Sequence, residues 1–384
     1  MDDAERSAWL RLTLTPGVGP RTAQTLLQAI GLPSAVFAAG RNALARVVPD
    51  RLAQTLAAAP DPAVSMAMAA AEAWLADDTL HALITLADGD YPQSLLSIID
   101  PPPVLFAIGR RELLNRPALA IVGSRSCSQL GAQTAEAFAY SLARSGLTIV
   151  SGLALGIDAA AHRGALRAAD DGEIAPTVAV LGTGIDVIYP YGNRALTEQI
   201  RARGIVLSEL PLATGALTHN FPRRNRLLAG LARGVLVVEA ALHSGSLISA
   251  RLAAENGREV FAIPGSIHSP LSKGCHRLIR EGAKLVDSAQ DILEELSWGG
   301  ASRQGSAHDA APDDAGTPAQ PQESALLSAS ARQVLAALTH DPIDTDQLAT
   351  RTALDIGALS AVLLDLELAQ HIERLPGNRY QRLR

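Results

Sequence analysis

Four short segments rich in glycine and serine carry the chemistry that this sequence offers. They are Gly123-Ser124-Arg125-Ser126, Ser151-Gly152-Leu153-Ala154-Leu155-Gly156-Ile157-Asp158, Gly182-Thr183-Gly184 and, past Glu239-Ala240, Ser244-Gly245-Ser246. Each follows a short apolar run and precedes a helical stretch. Residues without bulk let backbone N–H groups approach an anion, and the dipole of the following helix favours negative charge there. A single such segment is no more than a tight strand-to-helix turn needs for itself. Several on one sheet edge, beyond the C-terminal ends of the strands, point to a phosphate site.

A fifth segment adds a different capability. In His219-Asn220-Phe221-Pro222-Arg223-Arg224-Asn225-Arg226, an aromatic ring stands among three arginines and two asparagines. A ring on which a base stacks, flanked by guanidinium groups for phosphates, is the design of a single-strand platform. The alternative is a core phenylalanine at a solvated helix start. The net charge of −6 argues against a generic polyanion binder. Between residues 219 and 284, however, ten Lys/Arg stand against four acids, a local excess of six positive charges.

Other chemistries find no support. GxGxxG after the first strand and GxxxxGK[ST] are both missing, and no Ser/His/Asp triad or metal cluster suggests itself. Asp158 and His162 invite a metal reading, but a helix capped by Asp158 with His162 one turn along explains them equally well. Cys127 and Cys275 lack metal-ligand spacing and read as reduced thiols of a cytoplasmic protein. No run of about 18 apolar residues is present, so no membrane partner is expected.

These segments need a scaffold, and the chain supplies one. Apolar runs at 119–122, 148–150, 177–181, 204–207, 234–238 and 259–263 alternate with helical stretches. That pattern predicts an α/β domain, with a parallel sheet covered on both faces, over residues 81–298. Residues 1–80 read as helical, broken at Pro16-Gly17, Gly31-Leu32-Pro33 and Pro60-Asp61-Pro62. Residues 299–324, rich in Gly, Ser, Ala, Pro, Asp and Gln, read as a flexible linker. The tail, 325–384, reads as three short helices and a hairpin around Pro376-Gly377-Asn378.

The succession IVGSR (121–125), SGLALGIDAAAH (151–162), TVAVLGTGIDVIYP (177–190), SELPLATGALTHNFPRRNRLLAGLA (208–232), VVEAALHSGSLISARLAAENGREVFAIPG (237–265) and KGCHRLIREGA (273–283) resembles the DNA-processing protein A (DprA/Smf) family. The resemblance implies an extended Rossmann-like central domain that holds single-stranded DNA, forms a homodimer and loads the RecA recombinase during natural transformation, without catalysis or cofactor. It implies that Arg125 contacts a phosphate. Gly123, Ser124, Ser151, Gly152, Ser244, Gly245 and Ser246 would supply donors to neighbouring phosphates. Phe221 would stack on a base, with Arg223, Arg224, Asn225 and Arg226 bordering the strand and Lys273 reaching its backbone. His276, Leu278, Ile279 and Leu285 would form the dimer face. Where many relatives place a lysine, this chain has Tyr191, with Arg194 nearby in sequence.

The outer blocks resemble DNA-binding modules. Thr15 to Arg21 resembles a helix-hairpin-helix turn in a SAM-like or helix-hairpin-helix-like domain. The tail resembles a winged helix, with 347–353 and 356–367 as the helix pair and 371–381 as the wing. Its recognition helix, 355–368, carries Asp355, Asp365 and Glu367 and no basic residue, so a protein contact or a structural role is expected. The rival reading is a Rossmann-like nucleotide phosphoribohydrolase. That reading lacks its key group, because Leu242 to Leu247 is followed by no acid before Glu255.

Overall fold

The structure is a computed structural model that describes residues 2–169, 174–297, 328–338, 343–375 and 377–382. The expected linker at 299–324 and Pro376 of the expected hairpin lie outside the described residues. The chain divides into two compact units, one of residues up to 264 with 273–296, the other of 265–272 with 297 onward.

The first unit is built on a nine-stranded sheet. Its strands are β1 (His81–Thr85), β2 (Val104–Gly109), β3 (Ala118–Val122), β4 (Thr148–Ser151), β5 (Thr177–Val180), β6 (Ile205–Ser208), β7 (Gly234–Val237), β8 (Glu259–Ala262) and β9 (Lys284–Leu285). They lie in the order β1-β2-β6-β5-β4-β3-β7-β8-β9. From β6 to β9 every neighbouring pair is parallel, while β2 runs antiparallel to both β6 and β1. The six apolar runs read from the sequence are β3 to β8. The hairpin of β1 and β2 extends the sheet beyond them.

Successive side chains of a strand point to opposite faces, so both faces of this sheet need cover. Ala120, Val122, Val150, Val178, Val180, Leu207, Val235 and Val237 enter one core. Phe106, Ala179, Leu181 and Val206 enter the other, where they meet Trp9, Leu10 and Ala71 of the N-terminal helices. Burial of a Leu, Val or Phe side chain contributes about 1.5–3 kcal/mol. Trp9 is buried against the sheet, which ties the N-terminal helices and the sheet into one unit.

The N-terminal helices span Asp3–Leu14, Pro20–Ile30, Pro33–Ala38, Arg41–Leu44, Asp50–Ala57 and Pro62–Asp77. Proline at the first helical position opens three of them, where its missing N–H costs nothing. The second unit holds helices Ala329–Ala337, Thr345–Thr352 and Ile356–Leu368, and strands β10 (Ile343–Asp344), β11 (Ile372–Leu375) and β12 (Arg379–Arg382) paired in the order β10-β12-β11. Asp344 and Asp355 cap the last two helices by accepting from Gln347 N and from Gly357 N and Ala358 N. The last helix leaves Ile356, Leu364 and Leu368 exposed in a row.

Candidate nucleic-acid interface

The chain runs from β3 through β4 and β5 to β6 on one side of the sheet, then returns to β7 on the other side of β3. The crevice beyond the C-terminal ends of β3 and β7 is therefore a topological switch point, where open α/β sheets bind ligands. A cleft of about 640 Å³ lies there. Gly123, Ser124, Arg125 and Ser126 line it from the end of β3. Ala241 and His243 to Ser246 line it from the segment after β7, and Thr218, Phe221, Pro222, Arg224 and Asn225 from the helix Asn220–Leu231 and its approach.

The two sides are held in register by the backbone, since Ser124 N donates to Glu239 O at 2.7 Å. The Glu239 carboxylate accepts from Ser128 N (2.9 Å) and Ser128 Oγ (2.6 Å), fixing the start of the helix Gln129–Arg144. Gly156 sits at φ 76° and opens the helix Ile157–Arg167. A side chain at that position would collide with the carbonyls of Ser124 and Arg125, so the close approach of the two loops needs glycine. Three helices, Ile157–Arg167, Asn220–Leu231 and Ser246–Glu255, thus begin at the cleft with their positive dipole ends.

Asp158 is the second residue of its helix rather than the cap. Its carboxylate accepts from Gly152 N (3.1 Å) and Ala154 N (3.4 Å). Burial raises the Asp158 pKa above its ordinary value, with the Arg224 guanidinium and the two amides acting in the opposite direction. Arg224 is itself buried and donates to Gly152 O at 2.6 Å and to Val180 O. Its burial lowers its pKa to about 10, so the guanidinium stays charged at neutral pH and places a fixed cation at the cleft floor. His162 is wholly buried, with Nδ1 2.7 Å from Thr177 Oγ1, and burial lowers its pKa to about 3. Among the described residues no group of three His, Cys, Asp or Glu is placed to hold a metal.

Phe221 stands at the mouth of the cleft. Its ring lies against Gly182, where an added Cβ would come within 2.7 Å of Cδ1. The Arg125 guanidinium lies over the ring, 5.2 Å from its centroid. The Tyr189 ring lies 5.5 Å away, tilted by 38°. Aromatic surface, an exposed guanidinium and helix N-termini therefore meet in one concave site, which suits an anionic strand carrying unpaired bases.

These features agree with what the chain resembles in its family. The model of DNA recombination-mediator protein A matches residues 82–297, and that of the DprA winged helix domain matches residues 317–378. The chain belongs to this family. It is therefore a recombination mediator of the DprA type rather than an enzyme. Protein Smf of Synechocystis is 41% identical over 323 residues, covering 78% of this chain and 79% of that protein. DNA processing protein DprA of Streptococcus pneumoniae is 50% identical over 214 residues, covering 56% and 74%. The X-ray structure of the Streptococcus pneumoniae DprA superposes with TM-score 0.59 at 41% identity, over 75% of this chain and 95% of that one. A DprA structure from Helicobacter pylori, described for its single-stranded DNA binding mode, superposes with TM-score 0.50 at 31% identity, over 56% and 95%.

The structure gathers most of the expected residues of this DprA relative but not all. Gly123, Ser124, Arg125, Phe221, Arg224, Asn225, Ser244, Gly245 and Ser246 line the cleft. Ser151 and Gly152 are buried and turned inward: Ser151 Oγ donates to Ile121 O at 2.6 Å, and Gly152 N is taken by Asp158. Neither therefore has its donor free for a phosphate. Arg226 points away into a buried ion cluster with Glu209 and Asp100, so it does not border the strand. Exposed Arg223 leans toward Glu209 at 3.5 Å, and Lys273 opens the helix Lys273–Arg280 outside the cleft lining.

The local excess of positive charge shrinks in the same way. Arg226 and Lys284 pair with Glu209, Asp100 and Glu295, which lie outside the stretch counted from the sequence, while Arg251 and Arg277 pair within it. On the expected dimer face, Leu278 is buried in the core of its own chain and is not offered to a partner. His276 and Ile279 are half-buried, and Leu285 is exposed on the edge strand β9. Tyr189, Thr218 and His243 line the cleft without having been singled out as binding residues; for Tyr189 the available signal was an aromatic in the loop that follows the Gly182-Thr183-Gly184 strand end.

Proposed function

We propose that this chain binds single-stranded DNA in the cleft beyond β3 and β7, protects it, and loads RecA on it during natural transformation. The observation that carries the binding reading is the meeting of Arg125, Phe221 and Tyr189 at one mouth above three helix N-termini. Phosphates take the amides and guanidinium, and bases take the rings. Paired bases are shielded inside a duplex, so the rings favour a single strand. The Helicobacter pylori relative described for single-stranded DNA binding supports this assignment. Delivery to RecA and action in the cytoplasm rest on the family resemblance. A homodimer through β9 and the helix Lys273–Arg280 is supported by exposed Leu285 on β9, which is the edge strand of the sheet among the described residues.

The phosphoribohydrolase reading finds no free carboxylate among the described residues lining the cleft. Asp158 is the one acid among the residues lining the cleft, and its carboxylate is buried against Arg224 and two amides.

Fluorescence anisotropy with a labelled single strand and its duplex, at two salt concentrations, tests the reading. The single strand is expected to bind more tightly, and its affinity to fall as salt rises. Equal affinity for the duplex, or no binding of the single strand, overturns the assignment.

A further inference from the structure

The loop after β5 carries a second aromatic surface that the cleft itself does not use. Tyr189 is 41% exposed and already belongs to the mouth, while Tyr191, two residues on, is 73% exposed and is the most exposed of the five tyrosines. Exposed Leu155 lies beside this loop: a Cβ placed on Gly192 would sit 3.8 Å from its Cδ2. The Arg194 guanidinium stands 5.9 Å from the Tyr191 ring centroid, with a nitrogen 3.4 Å from the Tyr191 hydroxyl.

The loop is held firmly in place. Asn193 is buried, and its Nδ2 donates to Leu153 O (2.9 Å) and Ala154 O (3.2 Å), tying the tyrosines to the loop that follows β4. Thr197 Oγ1 donates to Asn193 O at 2.9 Å, and Asn193 N to Pro190 O at 3.0 Å. A large ring thus stands in water on a clamped loop, continuous with the mouth and next to a guanidinium. Residues two apart span at most about 7 Å, so Tyr189 and Tyr191 are within reach of successive parts of one strand.

We propose that Tyr191, with Arg194 and Leu155 beside it, is a further stacking position for an unpaired base. The strand leaves the Phe221–Tyr189 mouth along the loop 189–194, the base resting on the Tyr191 ring and Arg194 facing the backbone phosphate. This rests on the reading that the cleft holds single-stranded DNA.

The test uses the full chain, a thymidine oligonucleotide, and an abasic oligonucleotide of the same length and charge. Tyr191→Ala is expected to weaken thymidine-strand binding roughly 5- to 100-fold, the effect of losing one base–aromatic stack. Tyr191→Phe retains the ring and binds as the parent does. On the abasic strand Tyr191→Ala and the parent bind alike. The salt slope on the thymidine strand is unchanged, because no charge is removed. Tyr191→Ala binding the thymidine strand as tightly as the parent overturns the proposal. So does an equal loss on the abasic strand, which marks a contact to the backbone or damage to the loop. If the parent binds the thymidine strand and Arg125→Ala weakens that binding while Tyr191→Ala does not, the stacking position alone falls. If the parent binds no single strand, the cleft reading falls and takes this proposal with it.

Discussion

An Arg125→Ala variant is expected to bind single-stranded DNA about 10- to 100-fold more weakly than the parent while melting at the same temperature. The guanidinium is exposed at the end of β3 and stands over the Phe221 ring, so its removal takes nothing from the core. A hydrogen bond to a charged group contributes about 1.5–3 kcal/mol, and each 1.4 kcal/mol is a factor of ten in affinity. One phosphate contact fewer also lowers the steepness of the salt dependence by about 0.7 in log–log slope. Arg125→Lys keeps the charge and that slope but loses the planar group over the ring, and should fall between the two. Titrations across a salt series report both numbers. Parental affinity and slope in Arg125→Ala would remove Arg125 from the site.

The largest effect on stability is expected at Arg226, a residue of the same helix with the opposite assignment. Its guanidinium pairs with Glu209 at 2.5 Å and Asp100 at 3.2 Å, and both Arg226 and Glu209 are nearly excluded from solvent. Burial raises the Glu209 pKa above its usual value, and Arg226 and Arg223 act against that rise. Removing Arg226 leaves a buried carboxylate with only the more distant Arg223, a change that costs about 3–5 kcal/mol. In a domain of this size each kcal/mol corresponds to about 2–4 °C in Tm, so Arg226→Ala should melt at least about 6 °C lower. Adding Glu209→Gln removes the stranded charge and should recover part of the loss. Thermal melts of the three proteins settle the point. A parental Tm in Arg226→Ala would show that the cluster does not hold the fold and would return Arg226 to the candidates for DNA contact.

The contrast between Arg125 and Arg226 shows where the sequence is informative. Gly123 to Ser126 and Ser244 to Ser246 were legible because a strand end, a small-residue turn and a helix start are local signals. Phe221, singled out as a ring among many cations, lies in the cleft lining. The sequence did not show which way each side chain of the helix Asn220–Leu231 points. Arg224 and Arg226 look alike in the sequence, yet one cation lies beneath the cleft and the other pairs with Glu209, which directly follows β6. Ser151 and Gly152 misled for a related reason: their polar groups are claimed by Ile121 O and the Asp158 carboxylate, contacts made only after folding. Tyr189 was missed because it reaches the cleft through a loop after β5 that has no periodicity. The hairpin of β1 and β2 was missed because its strands are separated by 18 residues and their pairing is antiparallel, unlike the rest. Leu278 reads as a surface apolar residue on a short helix, but it completes the core of its own chain.

The central claim is that the unpaired bases lie at the mouth formed by Phe221 and Tyr189. Photo-crosslinking of the full chain to a 5-iodouridine-substituted single strand, followed by mass mapping of the adducts, tests that claim most directly. Adducts on Phe221 and Tyr189 that disappear in Arg125→Ala are the expected result. Adducts confined to the N-terminal helices or to residues 328–382, with the mouth unmarked, would contradict it.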